Sequence, residues 1–516
     1  MKTKRIIGAF LMIALVFAMV GSLSAQTKLR VELWDRSEPG HVAGKNVIAD
    51  WIKKEVKAKL NMDVEFVIVP RWQEDKLNVL MAGGQAPDVC ILYSEAIVTN
   101  YVKSKGLTDL GPLLDQYGKE LKAYLGPTVL QYGVWEGKQY AIPAKRTMSA
   151  AFAAWVREDW LKKLGMKTPT NMDEFYQMLK AFKEKDPGNV GKDKVIPFAL
   201  ALDPGNIDWT SHMIMASFIK PMNEEDRTAL AGPGRWVTPG YKDYMRFMNK
   251  LYNEGLISQN FVLDKDGQQY NRDLVQGVVG SLIHNYDYPI RPNPGINTEL
   301  AKNFPGARFV PFDCFVNSEG KNAKWMYNPN GLFIFVPRYS KNAVGAIKYL
   351  NWMVDPANLK IIQNGFKGTH YLDEKNGIPV NFVKQGDLPD YQKYNTNDLA
   401  ITTNGKEFGS DEANMEAQSQ SYPGYEDLFK KALTIAMKDA TPTPRLDVII
   451  ASEAKYSQTL NQKGSEIFVK SITCKPAEFD ATYDSLVKEY MAMGGQAVVD
   501  ERRAAYKAMV AKRGGK

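Results

Sequence analysis

Cysteine and histidine are both scarce in this chain. Its three cysteines among 516 residues, Cys90, Cys314 and Cys474, are odd in number and far apart, and neither they nor the four histidines fall at metal-ligand spacing. The cysteines read as buried, unpaired small hydrophobes, with one long-range disulfide left open for an oxidising compartment. No nucleophile elbow, zinc motif, P-loop or dinucleotide fingerprint occurs. No Lys/Arg block is dense enough to form the basic face that nucleic acid requires, so no nucleic-acid partner is expected. Internal repeats and low-complexity segments are absent as well. Charged runs such as Lys183-Glu184-Lys185 read as solvated helix surface.

What is present begins at the N-terminus. Lys2, Lys4 and Arg5 precede an apolar run from Ile6 to Val20, and the small residues Ser22, Ser24 and Ala25 follow. Charge, core length and exit chemistry together predict a secretory signal peptide over residues 1–25. Its core is shorter than the roughly 20 residues that a membrane-spanning helix needs. No cysteine lies near the expected cleavage site, so release into the periplasm without a lipid anchor is expected. About 490 residues would remain, more than one ordinary core, which predicts at least two domains. Removing Lys2, Lys4 and Arg5 takes the formal charge from +8 to +5, a mild basic balance for that length.

Leu29–Trp34 alternates and reads as a first strand, a helix follows from about Ala49 to Leu60, and Asp63–Val69 reads as a second strand. Gln73–Met81 reads as a helix leaving through Gly83-Gly84, and Pro87–Leu92 as a third strand. This alternation predicts an α/β fold with a largely parallel sheet. Ligands gather outside the carboxyl ends of such strands, which points to Trp34-Asp35-Arg36, Arg71-Trp72 and Tyr93-Ser94-Glu95. Further on, Asp159–Leu164 reads as a helix stopped by Gly165. Thr170 with Asp173 resembles a capping box, and Met172, Phe175, Tyr176, Leu179 and Phe182 make one apolar helix face.

The wording of that stretch, REDWLKKLGMKTPTNMDEFYQMLKAFKEKDP, resembles the hallmark segment of extracellular solute-binding proteins of ABC importers, in particular the large oligosaccharide- and alginate-binding group. LMAGGQAPDV, GLTDLGPLLDQYG, EGKQYAIP, LYNEGLIS, LVQGVVGSLIHNYD and NGFKGTHYLDEKNG resemble further blocks of the family, in the family's order and across essentially the whole chain. The resemblance implies a two-lobe periplasmic-binding-protein architecture of the Venus-flytrap, type II-like kind, with several crossings between lobes. It places the N-lobe at 27–145 and 313–390 and the C-lobe at 146–312 and 391–516. It also implies a monomer without cofactor, a carbohydrate ligand captured between the lobes, and inner-membrane ABC permease subunits as partners.

A carbohydrate site needs aromatic platforms for C–H faces and paired hydrogen-bonding groups for hydroxyls. The chain offers Trp34, Trp72, Trp209, Trp236, Tyr286, Tyr288, Trp325, Tyr327 and Tyr371. The expected ligand contacts are Trp34, Asp35, Arg71, Trp72, Glu95, Trp209, Tyr327 and His284-Asn285-Tyr286, which end an apolar strand run from Val278 to Ile283. From the family's pattern come Arg146, at the passage between lobes, and Tyr371, in a G-x-H-Y block whose His370 reads as structural. Arg36, Arg71 and Arg146 leave room for a uronate without establishing one. Trp155 and Trp160 read as core. Many relatives carry a calcium loop after the helix pair. Here Asp186 is present, but Gly188, Val190, Lys194 and Val195 stand at later ligand positions, so the degenerate loop Asp186–Val195 is expected to hold no metal. The alternatives are a peptide or organic-ion binding protein, a sensor that docks a chemoreceptor and, more remotely, a glycoside-cleaving enzyme whose two carboxylates sequence alone does not exclude.

Overall fold

The computed structural model describes residues 27–35, 42–70, 74–203, 206–264, 267–292, 295–394, 396–443, 445–446 and 448–512. The expected signal peptide, Arg36, Arg71 and Trp72 lie outside them. No helix among the described residues is long and apolar enough to cross a membrane.

The strands that matter for the argument are β1 (Thr27–Asp35), β2 (Met62–Pro70), β3 (Cys90–Leu92), β4 (Ile142–Arg146), β5 (Phe152–Arg157), β6 (Ile196–Ala199), β7 (Val279–Asn285), β8 (Phe309–Phe312), β9 (Trp325–Met326), β10 (Asn330–Phe335), β11 (Thr403–Asn404) and β12 (Thr441–Pro442). The chain divides into two compact units. Unit 1 comprises Met1–Lys145, Gly331–Lys375 and Asn381–Asn404; unit 2 comprises Arg146–Asn330, Asn376–Val380 and Gly405–Lys516. Passages between units fall at 330/331 and 404/405 where 312/313 and 390/391 were expected, and the short stretch Asn376–Val380, with two further passages at its ends, groups with unit 2.

In unit 1, β1 pairs with β2 in parallel, from Thr27↔Met62 to Asp35↔Pro70. A single parallel bridge, Val31↔Val89, ties β1 to the segment leading into β3. A second sheet runs β11-β4-β10-β3, with β10 and β3 antiparallel. Buried Leu29, Val31 and Leu33 of β1 and Ile48, Ile52 and Val56 of the helix Val47–Leu60 belong to one core cluster. The alternation of the strand and the 3.6-residue repeat of the helix put their apolar residues on the faces that enter it.

In unit 2 the sheet order is β8-β5-β7-β6. The parallel pairing expected from residues 29–92 is seen between β1 and β2 in unit 1; the unit 2 sheet is mixed, with β5 antiparallel to both β8 and β7 and β6–β7 a parallel pair. Both faces are covered. Phe152, Ala154 and Val156 of β5 enter one core cluster, while Ala153 and Trp155 enter another, the period-2 split of a strand buried on both sides. Trp155 and Trp160 are fully buried, as read from the sequence. Removing a side chain of that size from water is worth about 4–6 kcal/mol in transfer terms.

The helix Met172–Lys185 shows how closely local chemistry sets an element. Asn171, not Thr170, is its N-cap, accepting from the Glu174 backbone N–H at 2.9 Å. The Glu174 carboxylate reaches back to the Thr170 N–H and hydroxyl at 2.8 and 2.9 Å. The expected pairing of Thr170 with Asp173 is thus replaced by Asn171 and Glu174, the carboxylate closing on Thr170 and not on the N-cap N–H. Phe175, Met178, Leu179 and Phe182 form its buried stripe. Just upstream, Gly165 ends the helix Glu158–Leu164 at φ 67°, a left-handed position where a side chain would be strained.

Candidate functional site

The carboxyl ends of β6 and β7 and the amino end of antiparallel β5 share one edge of the unit 2 sheet, with Phe152 opposite Asn285 and Ala153 opposite His284. An aromatic cluster is built there. Trp209 lies edge-on to Phe152 at 4.7 Å and to His284 at 6.2 Å, and 6.4 Å from Trp325, which in turn meets Tyr327 at 4.6 Å. Trp209, Trp325 and Tyr327 are only partly buried and pack on the core beneath.

Each ring has a structural reason to be where it is. Trp325 belongs to β9, which pairs in parallel with β12. Its backbone N–H donates to His212 Nε2 at 2.9 Å, and the His212 ring stacks on Phe152 at 4.4 Å. Burial, reinforced by the Arg235 and Lys324 charges, pushes His212 down to about 3, so it accepts as a neutral imidazole. Tyr327 lies under the Arg146 guanidinium at 4.4 Å and its hydroxyl accepts from Asn285 Nδ2 at 3.2 Å.

Beside the cluster opens a cavity of about 660 Å³, lined by Phe152, Trp209, His212, Tyr241 and Trp325 among others. That is a small-ligand volume, the usual range being about 300–1,000 Å³. In its wall the buried Asp208 carboxylate accepts from the Tyr241 hydroxyl at 2.5 Å and from Arg235 Nη1 at 2.9 Å. Arg235 keeps about a third of its side chain exposed. Burial works against its charge, but Asp208 together with the Tyr241 and Tyr490 hydroxyls more than offsets that and holds the guanidinium above its ordinary pKa. The arrangement joins aromatic faces to a fixed acid–guanidinium pair, which suits a ligand with C–H faces and hydroxyls.

The family model for bacterial extracellular solute-binding proteins matches residues 45–360. The chain belongs to this family. It is 28% identical over 321 residues to lipoprotein LipO of Bacillus subtilis, a match covering 60% of this chain and 61% of LipO. It is 23% identical over 469 residues to the polygalacturonan/rhamnogalacturonan-binding protein YtcQ of the same organism, covering 88% of this chain and 87% of YtcQ. Among solved structures, the Streptococcus pneumoniae ABC-transporter substrate-binding protein FusA in complex with kestose superposes at a TM-score of 0.67 over 94% of this chain and all of that one, at 18% identity. At that identity the likeness is one of fold.

In this solute-binding protein the expected site residues separate by unit. Trp209, Arg146, Asn285, Tyr327 and His284 come together in unit 2. His284 is stacked on Tyr288 at 3.6 Å and accepts the Asn285 backbone N–H through Nδ1, while burial pushes it down to about 3. Tyr286 turns toward Phe429, 5.7 Å away, and burial raises its hydroxyl pKa. In unit 1, Trp34 is 6% exposed, 5.6 Å from Tyr93, and its indole N–H donates to Glu32 at 2.9 Å. It is a core ring there, not an open platform. Asp35 closes β1 half-buried, and Glu95 opens the helix Glu95–Lys103, exposed, behind the Ser94 cap. Tyr371 is 5% exposed and donates to Glu374 at 2.9 Å, so its ring serves packing. His370 is structural: Nδ1 accepts from the Phe366 N–H at 2.9 Å and Nε2 lies 3.0 Å from the Gln392 carbonyl.

Sequence reasoning missed Asp208, His212 and Arg235. The available signal was adjacency: Asp208-Trp209 and Arg235-Trp236 repeat the charged–aromatic pairing that drew attention to Trp34-Asp35. In the loop after Met172–Lys185, the Asp186 carboxylate accepts the Val190 and Gly191 N–H groups at 3.0 and 2.8 Å. The Lys163 ammonium donates to the Pro187 carbonyl at 2.7 Å. No group of three His, Cys, Asp or Glu side chains suited to a metal occurs among the described residues.

Proposed function

We propose that this chain is the solute-binding component of an ABC importer, that it captures an oligosaccharide on the far side of the inner membrane, and that it hands the intact sugar to permease subunits. The observation that carries the reading is the partly exposed pair Trp209 and Trp325 beside the Asp208–Arg235 pair on a single cavity. Pyranose rings present one apolar face to an indole and a rim of hydroxyls to charged hydrogen-bonding groups. The names of YtcQ and FusA, a polygalacturonan/rhamnogalacturonan-binding protein and a protein bound to kestose, support a carbohydrate ligand. Binding without turnover accords with the family, whose members are binding proteins.

Titration calorimetry of the protein against neutral and acidic oligosaccharides, with peptides and organic ions as comparators, tests the reading. Saturable binding of an oligosaccharide, recovered uncleaved, is the expected result. Binding of peptides or ions alone would overturn the ligand class, and recovery of a cleaved sugar would overturn the binding-only role.

A further inference from the structure

The charges around the unit 2 cavity are unequal. Three cations line it, Lys220, Arg227 and Arg235, against two carboxylates, Asp208 and Glu319. Asp208 is already engaged by Arg235 and by the Tyr241 hydroxyl, so Glu319 alone faces Lys220 and Arg227. Arg227 lies half-buried in the helix Glu224–Ala229. The acids beside it in sequence, Glu225 and Asp226, are held by Arg503 at 2.8 and 2.7 Å. No ion pair or side-chain hydrogen bond occupies the Arg227 guanidinium or the Lys220 ammonium among the described residues, and Lys220 is exposed.

A neutral sugar entering such a cavity would remove water from two cations and return hydroxyl contacts only. That is a poor exchange, because a desolvated charge is costly unless a counter-charge meets it. An anionic group restores the balance, and a guanidinium binds a planar carboxylate or a sulfate ester through two parallel hydrogen bonds.

We infer that the cavity takes an acidic sugar residue of the oligosaccharide, its ring against Trp209 or Trp325 and its anionic group toward Arg227 and Lys220. The inference rests on the carbohydrate reading and deepens it by naming the ligand's charge. The counter-charge is a carboxylate or a sulfate ester, since both fit the same donors. Arg146, the described arginine that had left room for a uronate in the sequence, instead lies over the Tyr327 ring and donates to the Asn330 carbonyl.

The test is calorimetric titration of the wild type with oligogalacturonates, their carboxyl-reduced counterparts, a sulfated oligosaccharide and its desulfated form. At least one acidic series is expected to bind ten-fold or more tightly than its neutral counterpart, with affinity falling as salt is raised. Arg227→Gln and Lys220→Gln are each expected to weaken the acidic ligand several-fold and so narrow the gap, with the melting temperature of each variant recording that it is folded. Carboxylate and sulfate series are separated by which of the two shows the gap. Equal affinity for acidic and neutral members overturns the inference and leaves the carbohydrate reading standing. A gap that neither substitution narrows overturns the assignment to this cavity. Failure of every oligosaccharide overturns both readings.

Discussion

Tryptophans that look alike in the sequence sit in opposite environments. Trp34 is sealed in unit 1, its N–H held by Glu32, whose other oxygen accepts the Ile91 backbone N–H at 2.9 Å. Deleting such a ring leaves a cavity and one unmet Glu32 oxygen, so Trp34→Ala is expected to cost about 3–5 kcal/mol of stability. Trp209 and Trp325 keep part of each ring open to the cavity. Truncating either is expected to cost about 1.5–2 kcal/mol of binding, roughly a ten-fold or larger loss of affinity. Chemical denaturation and sugar titration on the same three variants check the division. A Trp34→Ala protein of unchanged stability, or open-ring variants of unchanged affinity, would reverse it.

At the scale of elements, the loop Asp186–Val195 is organised from within the chain. The Asp186 carboxylate gathers the turn's own N–H groups, and the Lys163 ammonium covers the Pro187 carbonyl. A cation supplied by a side chain needs no calcium, so a chelator is expected to leave the melting temperature unchanged. Lys163→Met is expected to lower stability by about 1 kcal/mol, the ordinary worth of one hydrogen bond; a clear drop with chelator would reassign the loop to a metal. The loop's degeneracy was legible because it depends on residue types at fixed offsets. So was the Met172–Lys185 helix, whose apolar stripe and cap are local, though the cap moved from Thr170 to Asn171. The direction of β5 was not legible, because pairing with β7 and β8 depends on residues more than a hundred positions away. The same holds for the cavity. Trp209 and Tyr327 could be nominated singly, but Asp208 meets Arg235 and Tyr241 only through the fold of unit 2. The burial of Trp34 was not legible either, because a strand end predicts proximity to ligand and says nothing about Glu32 covering the indole.

For the whole molecule, buried titratable groups pull the pH response in opposite directions, Glu32 in unit 1 one way and His212 and His284 in unit 2 the other. In unit 1, burial outweighs the two N–H contacts of Glu32 and pushes its carboxyl from 4.5 up to about 7. A raised carboxyl gives stability that is complete below pH 4.5 and lost as pH rises through about 7. That is worth about 3 kcal/mol at about 1.4 kcal/mol per pH unit. His370 in the same unit is lowered by burial and acts in the other direction. In unit 2, His212 and His284 are both pushed from 6.5 down to about 3, chiefly by burial. A lowered histidine gives stability that is present above pH 6.5 and lost as pH falls toward 3. Glu32→Gln removes a titration but keeps an acceptor, so its stability relative to wild type is expected to improve from pH 5 to about pH 7 and to level off above that. His212→Gln should show its largest deficit near pH 7 and a shrinking one toward pH 4. Each unit has its own buried clusters, so scanning calorimetry is expected to show more than one two-state transition, with the two substitutions acting on different transitions. A bound oligosaccharide at a hundred times its dissociation constant should raise the transition that responds to His212→Gln by about 2.7 kcal/mol. If both substitutions move one transition together, the pH response belongs to a single cooperative molecule and its assignment to separate units fails.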